Sequence, residues 1–237
     1  VVPAMRSARA LLDARFDESE ALARSAFAAS DLPSFPYELS LVAVLGVIRF
    51  EQGRGAEIVG MVEPLLRTYA PYPVLRAAHV FALAEAGRLE DARRGLDAFA
   101  EEGFEKLGIT DNWTFTVGLL ARACFAIGDA RAARALASLL APRASECVDL
   151  SNGHLCAGPI AFYLALLALT CGDLDEAERH LAVASARAES LRSPLYRAWT
   201  LALRSHAQSR RGSAAARRSA LRLAEEARAL ATGHGMT

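Results

Sequence analysis

The chain has 237 residues, 53% of them hydrophobic and 23% charged, which excludes a disordered polymer and allows either a large core or one continuous helical stack. Lysine plus arginine balances aspartate plus glutamate at 27 each, so no net field favours nucleic acid or an anionic membrane surface. No apolar run reaches the roughly 18 residues of a membrane span, and Val1-Val-Pro-Ala-Met5 opens no secretion signal.

The opening residues read as the interior of a longer protein, and four cysteines in a chain of this size read as reduced thiols in a cytoplasmic setting. Apolar residues recur at the helical period of 3.6, as in Leu39-Ser-Leu-Val-Ala-Val-Leu-Gly-Val-Ile-Arg-Phe50, and strand signals are nearly absent. The first turn is Ala14-Arg-Phe-Asp-Glu-Ser-Glu20, with Ala14 where a glycine is expected and Ser19 in the place of a small packing residue. Asp31-Leu-Pro-Ser-Phe-Pro36 then separates it from a second turn at Gly53, where Ile58 takes the small-residue place. After Tyr69-Ala-Pro-Tyr-Pro73 come three clear copies of a Gly-x4-Ala phrase: Gly87…Ala92, Gly128…Ala133 and Gly172…Ala177. Residues 103–111 and 142–159 are expected to be irregular connections, with Asp111 capping a helix that begins at Trp113. Ser193-Pro194 fits an N-cap followed by proline at the first helical position, and Gly212 opens the last turn before Ala220.

The turns at 14, 53, 87, 128, 172 and 212 are spaced by 39, 34, 41, 44 and 40 residues. One interval matches the tetratricopeptide period of about 34. Glycine ends the first helix in a left-handed conformation, and the alanine five residues on lets the two helices approach closely. Phe99, Leu140 and Ala184, seven further along, fall on the same face and are expected to meet the next repeat. The expected fold is all-α: one domain over 1–237, a tetratricopeptide-like right-handed superhelix of about six antiparallel helix pairs.

In such a stack the first helix of each pair lines the concave surface. Aligning the turns places Phe50, Phe81, Phe115, Arg122, Phe125, Phe162, Leu166, Trp199, His206 and Arg210 there. Left open, these residues form an aromatic strip with arginines beside it, suited to a peptide helix or to a small ligand with an apolar body and an anionic end. Packed on one another, they are simply core. Cys147, His154 and Cys156 share one connection, as a loop without function, a redox pair or part of a zinc site, but no second Cys/His pair completes four ligands. Cys124 and Cys171 read as small core residues. Ser151 beside His154 lacks an oxyanion motif, so no catalytic residue, metal or cofactor is expected.

Asp111-Asn-Trp113, Leu119-Leu-Ala-Arg-Ala-Cys-Phe-Ala-Ile-Gly-Asp129, Gly158-Pro-Ile-Ala-Phe-Tyr-Leu-Ala-Leu-Leu-Ala168, Gly172-Asp-Leu-Asp-Glu-Ala-Glu-Arg-His180 and Gly233-His-Gly-Met236 carry a family likeness. Together they resemble the C-terminal helical-repeat region of large bacterial signalling ATPases. That group includes ATP-binding proteins fused to adenylyl or guanylyl cyclase domains and MalT-like regulators with a LuxR-type DNA-binding domain. The resemblance spans essentially the whole chain and is strongest from about residue 80. It implies a non-catalytic repeat region that senses an effector, peptide or partner and restrains an upstream NTPase or cyclase of the same parent chain. The NTPase chemistry itself does not transfer: the sole lysine, Lys106, stands in Phe104-Glu-Lys-Leu-Gly108, not in a phosphate-binding loop. No LuxR-like helix-turn-helix follows residue 230, so no direct contact with nucleic acid is expected. The alternative reading is a scaffold that self-associates into a homo-oligomer, with an enzyme as the third.

Overall fold

Among the described residues, six turns join helices into pairs, at Ala14, Gly53, Gly87, Gly128, Gly172 and Gly212, all with φ between 55° and 80°. The computed structural model describes residues 2–28, 35–69, 72–108, 110–150 and 153–236. Among them are α1 (Val2–Leu12) paired with α2 (Phe16–Ala28), α3 (Phe35–Glu51) with α4 (Ala56–Thr68), and α5 (Pro73–Glu85) with α6 (Leu89–Glu102). Then follow α7 (Trp113–Ile127) with α8 (Ala130–Leu140), α9 (Ile160–Cys171) with α10 (Leu174–Ser190), and α11 (Pro194–Arg210) with α12 (Ala214–Gly233).

The turn at Gly128 shows why the phrase works. The Gly128 and Asp129 N–H groups both donate to the Cys124 carbonyl, at 2.8 and 3.3 Å, closing the last turn of α7. The Asp129 carboxylate then accepts from the Arg131 and Ala132 N–H groups, each at 2.9 Å, and so opens α8. Asp173 caps α10 and Ser213 caps α12 in the same way. The residue five past each of the first five turns is buried, Ser19, Ala92, Ala133 and Ala177 fully and Ile58 almost so. At the last turn the buried small residue is Ala220, eight past Gly212, and Arg217 at the fifth place is exposed. Phe99, Leu140 and Ala184 are buried as well.

Two local expectations are corrected. The stretch 142–159 contains a β-hairpin, β1 (Cys147–Leu150) against β2 (Leu155–Pro159), antiparallel and with an irregular register between Cys147 and Asp149. Its alternation is short but real: Val148, Leu150, Leu155 and Ala157 point inward, while Cys147, Asp149 and Cys156 are half-buried on the other face. At α7 the N-cap is Asn112, with no side-chain cap, and Asp111 lies in the preceding turn. Ser193 does cap α11, accepting from the Tyr196 N–H at 3.3 Å. The connection after α6 carries a short 3-10 turn at Phe104–Leu107. Residues 31–34, 70–71 and 151, which hold part of the proline-rich connections and Ser151, lie outside the described residues.

Consecutive helices pack on each other along the chain, and the first helices of neighbouring pairs also meet, as α5 with α7 and α7 with α9. The stack returns on itself. Helix α1 packs on α11 and on β2, and β2 also touches α3 and α10. Arg9 donates to the Leu191 carbonyl at 2.7 Å, and the Ser193 hydroxyl donates to the Leu12 carbonyl at 2.7 Å. No helix among the described residues is long and apolar enough to cross a membrane.

Candidate functional site

Five of the first helices aim side chains at one place. Phe50 and Glu51 come from the end of α3, Phe81 and Glu85 from α5, Arg122 from α7, Phe162 and Tyr163 from α9, and Tyr196 and Trp199 from α11. The Arg122 guanidinium sits within a ring of aromatics, 4.7 Å from the Phe50 ring centre, 5.2 Å from Phe162 and from Trp199, and 5.8 Å from Tyr163. A cation so placed gains from the negative faces of several rings at once. Trp199 stacks on Phe50 with centroids 5.5 Å apart and planes 12° from parallel, and its edge meets Phe162. Its indole N–H donates to both carboxylate oxygens of Glu51, each at 2.9 Å.

Glu51 is 3% exposed, and that burial decides its charge. Burial pushes its carboxyl up to about 7, against the attraction of Arg122 and the Trp199 hydrogen bond, and the neighbouring Glu85 pushes it the same way. Burial raises Glu85 too, against the attraction of Arg122. The Tyr163 hydroxyl donates to the Ala157 carbonyl at 2.6 Å, and accepts from Arg122, tying the hairpin to the cluster. The cluster therefore holds one fixed cation, Arg122, facing the Glu51 carboxyl, which burial raises to about 7, and the Glu85 carboxyl, which burial raises as well.

The concave residues expected from sequence separate into two groups. Phe81, Phe115, Arg122, Phe162 and Trp199, with Phe50, come together at the cluster or against it. Phe81, Phe115, Phe162 and Leu166 are buried, so in this conformation they are helix-to-helix packing and not an open strip. The physical reason is that α5 packs on α7 and α7 on α9, which brings successive first helices close enough for the rings to fill the space between them. Phe125, His206 and Arg210 lie apart from the cluster's ring contacts. Phe125 meets the exposed His206 edge to face at 6.0 Å, and Arg210 donates to the Leu169 carbonyl at the end of α9 at 2.6 Å.

Glu51, Glu85, Tyr163 and Tyr196 were not singled out from the sequence. One signal points to the two acids: each stands two residues before its turn glycine, Gly53 and Gly87, so equivalent repeat positions both carry a carboxylate.

Open space lies beside the cluster. A groove of about 790 Å³ is walled by Ala198, Trp199, Ala202 and Ser205 of α11 and by Ala227, Arg228, Ala231 and Thr232 of α12, with Glu51 and Met236 completing it. Glu51 and Trp199 therefore belong both to the cluster and to the groove wall. The lining is largely alanine, with Trp199 as its aromatic and the exposed Arg228 as its cation. Comparisons of the chain with protein-family models, with curated proteins and with solved structures gave no significant match.

Proposed function

We propose that this chain is a non-catalytic, tetratricopeptide-like sensor domain that binds a small effector in the groove between α11 and α12, and that it belongs to a signalling ATPase or transcriptional regulator of the kind its sequence resembles. The observation that carries the reading is the sharing of Glu51 and Trp199 between the groove wall and the cluster that joins five repeats. A volume of about 790 Å³ suits a small ligand. The alanine-rich wall fits an apolar body, and Arg228 at the wall fits an anionic end. The six regular turns support the superhelical stack, and the quoted motifs support the kinship with signalling ATPases. In that setting the NTPase or cyclase part of the parent chain is the partner, in the cytoplasm.

The mechanism is differential binding. An effector touching Trp199 and Glu51 prefers one arrangement of the cluster, and shifts the equilibrium between arrangements by its difference in affinity for them. The test is a thermal-shift screen of amphipathic carboxylates against the 237-residue chain, followed by calorimetry on hits. A hit should lose about tenfold or more in affinity in Trp199→Phe and in Arg228→Gln, while the Phe125→Leu variant, away from the groove, binds normally. A hit that binds all three alike does not occupy this groove.

The second reading, a self-association scaffold, draws on Leu221 of α12, a large apolar side chain 66% exposed. Light scattering across a concentration series separates it, since a monomer at every concentration removes it.

A further inference from the structure

The hairpin carries two thiols that the effector reading does not use. Cys147 and Cys156 stand on adjacent antiparallel strands, both on the half-buried outer face, and neither is in a disulfide. Their thiols are in hydrogen-bond contact, and Cys147 also meets the guanidinium of Arg187 from α10. The register explains the approach. Cys147 pairs with Pro159 and Asp149 with Cys156, so β2 holds one residue more than β1 in this interval and the strand bends. Gly158, at φ 86°, supplies the backbone conformation for that bend.

The two thiols are also unequal. The hydrogen bond from Cys156 and the charge of Arg187 lower the Cys147 thiol to about 6, although burial and Asp149 oppose them. Cys156 is displaced upward by the same contact and by burial. A thiolate beside a neutral thiol is the arrangement of an attacking and a resolving cysteine. By contrast Cys124 is fully buried, and burial pushes its thiol up to about 12.

The geometry points to Cys147 and Cys156 as a peroxide-oxidisable dithiol, with Cys147 attacking, Cys156 resolving and Arg187 holding the thiolate. The Cys147 thiolate attacks one oxygen of hydrogen peroxide. The O–O bond breaks, Cys147 becomes a sulfenic acid, and the leaving hydroxide takes a proton to form water. The Cys156 sulfur then attacks the sulfenic sulfur as its proton passes to the departing hydroxyl. An S–S bond forms, the S–O bond breaks and a second water leaves. Two thiols supply the two electrons that reduce one peroxide. The product removes the negative partner of Arg187 and fixes the two strands of an element that touches α1, α3, α9 and α10.

The experiment treats the reduced 237-residue chain with one equivalent of hydrogen peroxide at pH 7 and maps its peptides without reduction. The expected product is a Cys147–Cys156 disulfide, with Cys124 and Cys171 still free thiols. In Cys156→Ser the peroxide should leave a Cys147 sulfenic acid that dimedone captures. In Arg187→Gln, alkylation of Cys147 by iodoacetamide at pH 7 should slow by about tenfold, as its thiolate fraction falls. Reaction at Cys171 first, or a Cys147 rate unchanged by Arg187→Gln in a variant with native circular dichroism, would overturn the assignment.

Discussion

Glu51 is a buried carboxyl on which the charge of Arg122, the Trp199 N–H and the neighbouring Glu85 all act. Its ordinary pKa of 4.5 rises to about 7 because burial costs the charged form more than Arg122 and the Trp199 N–H return. Between those two values the unfolded chain has released a proton that the folded chain still holds. Stability therefore falls as pH rises through this window, by roughly 3 kcal/mol at its upper end. Glu85 is raised as well and acts in the same direction. Glu20 has the opposite sign: hydrogen bonds from Arg49 hold it at about 2, so its contribution is present above 4.5 and lost as pH falls toward 2. Urea unfolding of wild type and Glu51→Gln between pH 5 and 8 checks this. The variant should show a clearly flatter profile, and parallel profiles would mean that Glu51 does not titrate in the folded state across this range.

At the scale of elements, two kinds of glycine do different work. Gly128 ends α7 at φ 78°, and a Cβ there would meet nothing within 4 Å, so Gly128→Ala carries only the left-handed strain of about 1 kcal/mol. Gly158 in β2 has φ 86°, and a Cβ there would fall 2.2 Å from the Tyr196 ring. Gly158→Ala adds that collision to the strain, for a total of roughly 3 kcal/mol. Chemical denaturation of the two variants should separate them by about 2 kcal/mol. Ala14 shows that the turn geometry outranks the residue: it adopts φ 55° without being glycine, at the first of the six reversals. The hairpin was harder to read than the turns. Its four inward residues alternate over only two short strands, inside a segment bounded by prolines, and so small a period-two signal is outweighed by the helical pattern on both sides.

For the whole molecule the decisive contacts are those between chain ends. Arg9 joins the first pair to the end of α10 through the Leu191 carbonyl, and Ser193 joins the start of α11 to the first pair through the Leu12 carbonyl. The double variant Arg9→Ala, Ser193→Ala should lose hydrogen-exchange protection in α1 first, with α7 and α9 unchanged, and should enlarge the radius of gyration in X-ray scattering. Unchanged α1 protection would show that apolar packing alone keeps the stack closed. The sequence by itself determined the helical class, six turn positions and the buried small residues after them. These are local consequences of glycine conformation, capping side chains and the 3.6-residue period, which act within about ten residues of chain. Only the tertiary structure decided that the first pair meets the last, that Phe162 and its neighbours are packed and not open, and that Glu51 faces Trp199 across 148 positions of sequence. Those outcomes depend on how small rotations between successive pairs add up, a quantity set by packing across the whole stack and written in no single repeat.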